Sequence, residues 1–153
     1  MRFISLLAAA ALLAAPAGAI DLTGTWVGGT KCSVYNGERN KFSSKGQILL
    51  ITQVGNVLNI DWDGDPMAGI AINDLSKPDA KGAAAFVSCY TTTDPTTGYA
   101  ELSTLQAKVN RPKGKGSLRG TGIYTVDGNF VATCQWKFKL TSTADPGVPA
   151  TCP

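Results

Sequence analysis

The amino-acid sequence predicts an all-β fold, specifically a small antiparallel up-and-down β-barrel of about eight strands. Three observations predict it. Beyond the first 19 residues no stretch of about a dozen keeps apolar residues at helical spacing, whereas period-2 alternation recurs in short runs. Turn chemistry separates the runs, with 17 glycines and frequent Thr, Ser and Asn. The runs are also sequential and joined by short connections. That suits a sheet closing on itself, with no exposed edge, better than a sandwich needing long crossovers.

Taken in order, residues 22–35 form a first strand and 45–53 a second. Val54-Gly55-Asn56 turns the second into 57–63, a hairpin signal of the Gly-Asn kind. Asp63-Gly64-Asp65-Pro66 breaks the chain before 68–74, and Lys77-Pro78-Asp79-Ala80-Lys81-Gly82 before 83–91. Asp94-Pro95-Thr96-Thr97-Gly98 leads to 99–110, Arg111-Pro112-Lys113-Gly114-Lys115-Gly116 to 117–126, and Asp127-Gly128-Asn129 to 130–141. An irregular tail follows.

Side chains on a strand point alternately to its two faces, so parity gives a candidate interior. Phe130, Ala132, Cys134, Trp136, Phe138 and Leu140 share one parity on the last strand. Trp26, Gly28, Thr30 and Cys32 do so on the first, as do Leu58, Ile60 and Trp62 on the third. Ile70 and Ile72 share a face, and the same reading takes it as internal.

The first residues read as an export signal. Met1-Arg2 is a short positive region, 3–15 is an apolar run interrupted by Ser5, and Pro16-Ala17-Gly18-Ala19 offers a small-x-small cleavage site. Roughly 13 apolar residues give about 20 Å of helix, short of a bilayer core of about 30 Å. Residues 1–19 are therefore expected to be a signal peptide, and 20–153 a single β-barrel domain. The expected product is exported, periplasmic or extracellular, with no membrane insertion. An oxidising compartment converts the four cysteines, Cys32, Cys89, Cys134 and Cys152, into disulfides. Four cysteines allow three pairings. Inward parity on two strands that meet at a barrel seam favours Cys32–Cys134, leaving Cys89–Cys152.

Composition excludes several functions. With no histidine, the chain lacks the usual general base, the Ser-His-Asp and Cys-His constellations and the commonest metal ligand. Neither an enzyme nor a bound cofactor is expected. Asp61, Asp63 and Asp65 crowd one region, but Gly64 sits at the fourth rather than sixth place of a calcium loop and Ile72 stands where its last glutamate belongs, so a solvated Asp-Gly hairpin end is the reading. The formal net charge is only +3, and the basic loop from Arg111 to Lys115 lacks interleaved aromatics, so no nucleic-acid partner is expected. Trp62, Tyr90, Tyr99, Tyr124 and Trp136 are the candidate ligand-binding residues. Aromatic rings pack flat on apolar or sugar-like ligands while a hydroxyl or indole finds a polar partner. The competing reading is that they fill the core. Gly28, Gly120 and Gly122 would make room for a small ligand.

The segment Asp21-Leu22-Thr23-Gly24-Thr25-Trp26 resembles the Gly-x-Trp opening strand of the calycin barrels, namely lipocalins, fatty-acid-binding proteins and avidins. The resemblance implies that Trp26 closes one end of the barrel. Leu22 to Trp26 also matches the Leu-Thr-Gly-x-Trp start of avidins, and is similar to the opening of the small secreted barrels with which bacteria inhibit their own metalloproteases. The chain departs from lipocalins in lacking a helix after the last strand and in offering Lys137 and Lys139 where they carry an arginine that packs on the tryptophan. The resulting expectation is an exported non-enzymatic binding protein for a small apolar or amphipathic ligand. The alternative is a protein-binding module, such as an inhibitor of a secreted protease, that inserts Ile20-Asp21-Leu22 or the loop over 91–98 into an enzyme cleft.

Overall fold

The computed structural model describes residues 19–35, 39–74, 80–89, 99–126 and 129–150; the expected signal segment, apart from Ala19, lies outside them. Eight strands follow in sequence: β1 (Gly24–Tyr35), β2 (Arg39–Val54), β3 (Val57–Trp62), β4 (Asp65–Asn73), β5 (Lys81–Ser88), β6 (Tyr99–Asn110), β7 (Lys115–Val126) and β8 (Asn129–Ser142). Each pairs antiparallel with the next, and β1 pairs with β8, so the sheet closes into a barrel. This closed eight-stranded up-and-down architecture fits a calycin-like fold.

Local chemistry sets the tight turns. Gly55, at φ 61°, opens a two-residue turn between the facing residues Val54 and Val57. Asp63 (φ 51°) and Gly64 (φ 96°) form the other, between Trp62 and Asp65. Positive φ at both central residues matches the right-handed strand twist and selects Asp-Gly there. The Asp63 carboxylate accepts the Ile48 N–H at 2.8 Å and the Asp61 carboxylate accepts the Gly64 N–H at 2.7 Å, so both aspartates brace the hairpin end. Asp65 and Pro66 belong to β4 rather than to the break expected there. The proline occupies the second place of the strand, opposite Asp61, where a missing donor is tolerated.

Strand β2 starts six residues before the expected Lys45, because Arg39 to Ser44 pair along the upper part of β1. The register shifts between Gly28, facing Gln47, and Gly29, facing Lys45. Gly46, at φ 73°, is the extra residue, the left-handed glycine of a β-bulge. Below it Leu49 and Ile51 are buried; at the bulge the alternation flips and Lys45 points outward.

Parity otherwise describes the interior. Trp26, Thr30, Cys32, Leu58, Ile60, Trp62, Ala132, Cys134, Trp136, Phe138 and Leu140 are all buried. Strand β4 is the exception to the expectation: Ile70 and Ile72 do share a face, but it is the outer one, each 55% exposed. Met67 and Ala71 point inward instead. The smaller inward side chains leave space for neighbouring rings, and the larger pair joins an outward row in which Val57 faces Ile70.

The base of the barrel is sealed. Ile20, Leu22 and Trp26 are buried there, and the Trp26 indole donates to the Leu22 carbonyl at 2.9 Å. Arg111, in the short 3-10 turn between β6 and β7, pairs with Asp21 at 3.2 Å and donates to the carbonyls of Thr23 and Thr143. The arginine at this end therefore comes from the β6–β7 connection, and Lys137 and Lys139 of β8 face outward. The carboxy-terminal segment crosses the same end: Asp145 accepts from the Thr52 hydroxyl at 2.6 Å, and the Val148 N–H donates to that hydroxyl oxygen at 2.8 Å.

At the seam Cys32 and Cys134 stand directly opposite, Cα atoms 4.1 Å apart, and form a disulfide. Its presence fits an oxidising compartment. Cys89 is also disulfide-bonded, while Cys152 lies outside the described residues. Among the described residues no helix is long and apolar enough to cross a membrane.

Candidate functional site

The other, upper end of the barrel carries the connections from β1 to β2, β3 to β4, β5 to β6 and β7 to β8, of which only that from β3 to β4 lies wholly within the described residues. Below it the period-2 alternation of β3, β5 and β8 brings four rings together. Trp62 meets Trp136 edge-on at 5.2 Å between centroids, Phe138 at 5.4 Å and Phe86 at 6.3 Å, and Phe86 stacks on Trp136 at 6.0 Å. Edge-to-face pairs at these separations add about 0.5–1.5 kcal/mol each beyond area burial. The cluster is a cohesive part of the core as well as the lining of the barrel.

The glycines expected to make room do so for protein. A Cβ on Gly122 would lie 1.9 Å from the Trp136 ring, and one on Gly28 would lie 2.7 Å from the Phe138 ring. A Cβ on Gly120 would meet Leu105 at 2.7 Å and the Thr104 carbonyl at 1.9 Å. Trp136 therefore occupies the space that Gly122 opens, and any molecule filling that space must first displace the ring.

Both tryptophans carry an unmet demand. The indole Nε1 atoms of Trp62 and Trp136 are buried with no hydrogen-bond partner among the described residues, on rings that touch each other. A buried donor left unsatisfied costs about 1–3 kcal/mol, so an acceptor at this spot has an energetic reason to bind. Tyr124 lies nearer the upper end, packed against the core. Its phenol is pushed above the usual tyrosine value by burial, and further by the charge of Asp65. Tyr99 lies in β6 with its backbone alone described, and Tyr90 lies outside the described residues. The structure thus brings Trp62 and Trp136 into contact and places Tyr124 four residues above the level of Trp136 on the β7–β8 ladder.

Sequence reasoning missed Phe86 and Phe138 as lining partners. The parity of β8 already held the signal for Phe138. It also missed Phe42, which faces Cys32 on the inward parity yet is 55% exposed, an apolar ring at the mouth beyond the packed core. Its signal was hidden by the bulge, which inverts the parity of upper β2.

No family model, curated protein or solved structure matches this chain. The functional reading rests on the barrel and its residues.

Proposed function

We propose that this chain is an exported, non-enzymatic binding protein of the lipocalin or avidin type, taking a small apolar or amphipathic molecule into the upper half of the barrel. The pair of buried, unpartnered indole donors at Trp62 and Trp136 carries the reading. Apolar rings supply most of the contact area, and the two N–H groups reward a ligand that brings an acceptor. Phe42 and Tyr124 flank the way in. Absence of histidine supports binding over catalysis. The export assignment rests on the amino-terminal sequence together with the disulfides. The inhibitor reading has less support at the amino-terminal segment, because Ile20 and Leu22 are 1% and 0% exposed in the base; its other candidate, the loop over 91–98, lies outside the described residues.

The test is titration with anilinonaphthalene sulfonate and with a long-chain fatty acid, following tryptophan emission. Saturable one-to-one binding is expected, weakened roughly tenfold by Trp136→Phe or Trp62→Phe, the worth of about one hydrogen bond. Absence of saturable binding, or binding indifferent to both substitutions, overturns the proposal.

A further inference from the structure

The outer wall built by β2, β1, β8 and β7 carries a feature the interior does not use. On successive strands, Lys45 faces Gly29, Gly29 faces Lys137, and Lys137 faces Arg119. Strands lie about 4.8 Å apart, so the row presents cations about 10 Å and then about 5 Å from one another. Lys31, two residues along β1 from Gly29, joins the same open groove of about 600 Å³, whose outward residues also include Ser43, Thr121 and Gln135. A second groove continues upward from Lys31, Ser43 and Gln135 to Lys41. All five cations are exposed, and among the described residues none is paired with a carboxylate.

The floor of the groove is shaped by backbone constraints. A Cβ on Gly29 would lie 2.4 Å from the Ser44 carbonyl, so no side chain can stand between Lys45 and Lys137. The Gly46 bulge turns Lys45 outward; uninterrupted alternation from Leu49 would have pointed it inward. A bulge that re-aims one side chain into a row of like charges works against stability through repulsion, so it calls for an anionic partner.

We propose that this wall docks a linear anionic polysaccharide, its sulfates or carboxylates meeting Lys41, Lys31, Lys45, Lys137 and Arg119 along the track. The outward side chains end in hydroxyl, amide or cationic groups over a largely apolar floor, and the linear row of exposed cations is what favours an extended polyanion. The first groove has no exposed aromatic ring, and the second has one, Phe42, too few for successive nucleic-acid bases to stack on. The five cations lie on the outer face of the barrel, and this proposal stands whether or not the interior binds a ligand.

The experiment is heparin binding by calorimetry at several salt concentrations, with neutral dextran, a mixed-sequence DNA duplex and vesicles of phosphatidylglycerol as comparators. Expected is heparin binding that weakens steeply with salt, as released counterions require, with no binding to dextran and weaker binding to duplex and vesicles. Lys31→Gln with Lys137→Gln should lower heparin affinity about tenfold at low salt and reduce the salt slope by about two. Lys113→Gln with Lys115→Gln, at the opposite end, should change it less than threefold. No heparin binding, equal losses in the two double variants, or tighter binding to duplex or vesicles overturns the proposal. Circular dichroism of both variants confirms the barrel.

Discussion

Removing the seam disulfide by Cys32→Ala with Cys134→Ala should cost a large part of the folding free energy while leaving the barrel intact. The bridge spans 102 residues of sequence. Closing a loop of about that length removes unfolded-chain entropy worth about 4.7 kcal/mol at 25 °C. A domain of this size is stable by roughly 5–15 kcal/mol, so the variant loses between a third and most of it. The native state should change little, since β1 and β8 remain paired from Thr25 to Val34 by their own ladder. Both half-cystines are buried, at 8% and 1% exposure, so alanine leaves only a small void. The effect therefore acts through the denatured chain. The assay is urea unfolding followed by tryptophan emission and far-ultraviolet circular dichroism, with the Cys89 disulfide kept oxidised. With a slope of about 1.5–2 kcal/mol/M, the midpoint should fall by roughly 2–3 M and the slope should rise slightly as the unfolded chain expands. A loss below about 1 kcal/mol, or a barrel spectrum lost before any denaturant is added, refutes the reasoning.

Gly122→Ala drives a methyl group into the place of the Trp136 ring. It should destabilise by about 1–3 kcal/mol through overpacking and shift tryptophan emission; an unchanged emission spectrum would contradict the packing described. Arg111→Gln removes a half-exposed ion pair and weakens two bonds to carbonyls, for a loss of about 1–3 kcal/mol, whereas Asp21→Asn should cost less than about 1 kcal/mol. Equal losses in urea unfolding would show that the arginine acts only through its charge. The phenol of Tyr124 has its pKa raised in the folded state, so its contribution is fully present below the ordinary tyrosine value of about 10 and is lost as pH rises through the folded value. Stability of the native protein should therefore fall on alkaline titration by more than that of Tyr124→Phe, and parallel curves would refute the assignment.

Much of the fold was legible because a barrel states its geometry in period two. The parity of β8 alone placed Ala132, Cys134, Trp136, Phe138 and Leu140 inside, and the same reasoning on β1 brought Cys32 opposite Cys134. Parity fails where something other than alternation decides the face. On β4 the small residues Gly69 and Ala71 go inward to leave room for rings, so Ile70 and Ile72 face out against the hydrophobic bias. On β2 a single left-handed glycine, Gly46, inverts the alternation, which hid both Phe42 at the mouth and Lys45 on the wall. The arginine at the base was hidden for another reason. Arg111 reads as part of a soluble basic turn, and only the closure of the sheet brings it beside Asp21. Trp62 and Trp136 were legible as interior aromatics, but that their indole donors go unpartnered depends on packing that no local pattern encodes.

The central claim is that the aromatic upper half of the barrel holds a small molecule. Native mass spectrometry of the protein purified from its own source tests it most directly. Expected is a mass exceeding the disulfide-bonded polypeptide by one small molecule, with the fraction carrying that excess reduced in the Trp136→Phe variant prepared alongside. A polypeptide mass with nothing added, or an excess that persists unchanged in the variant, contradicts it.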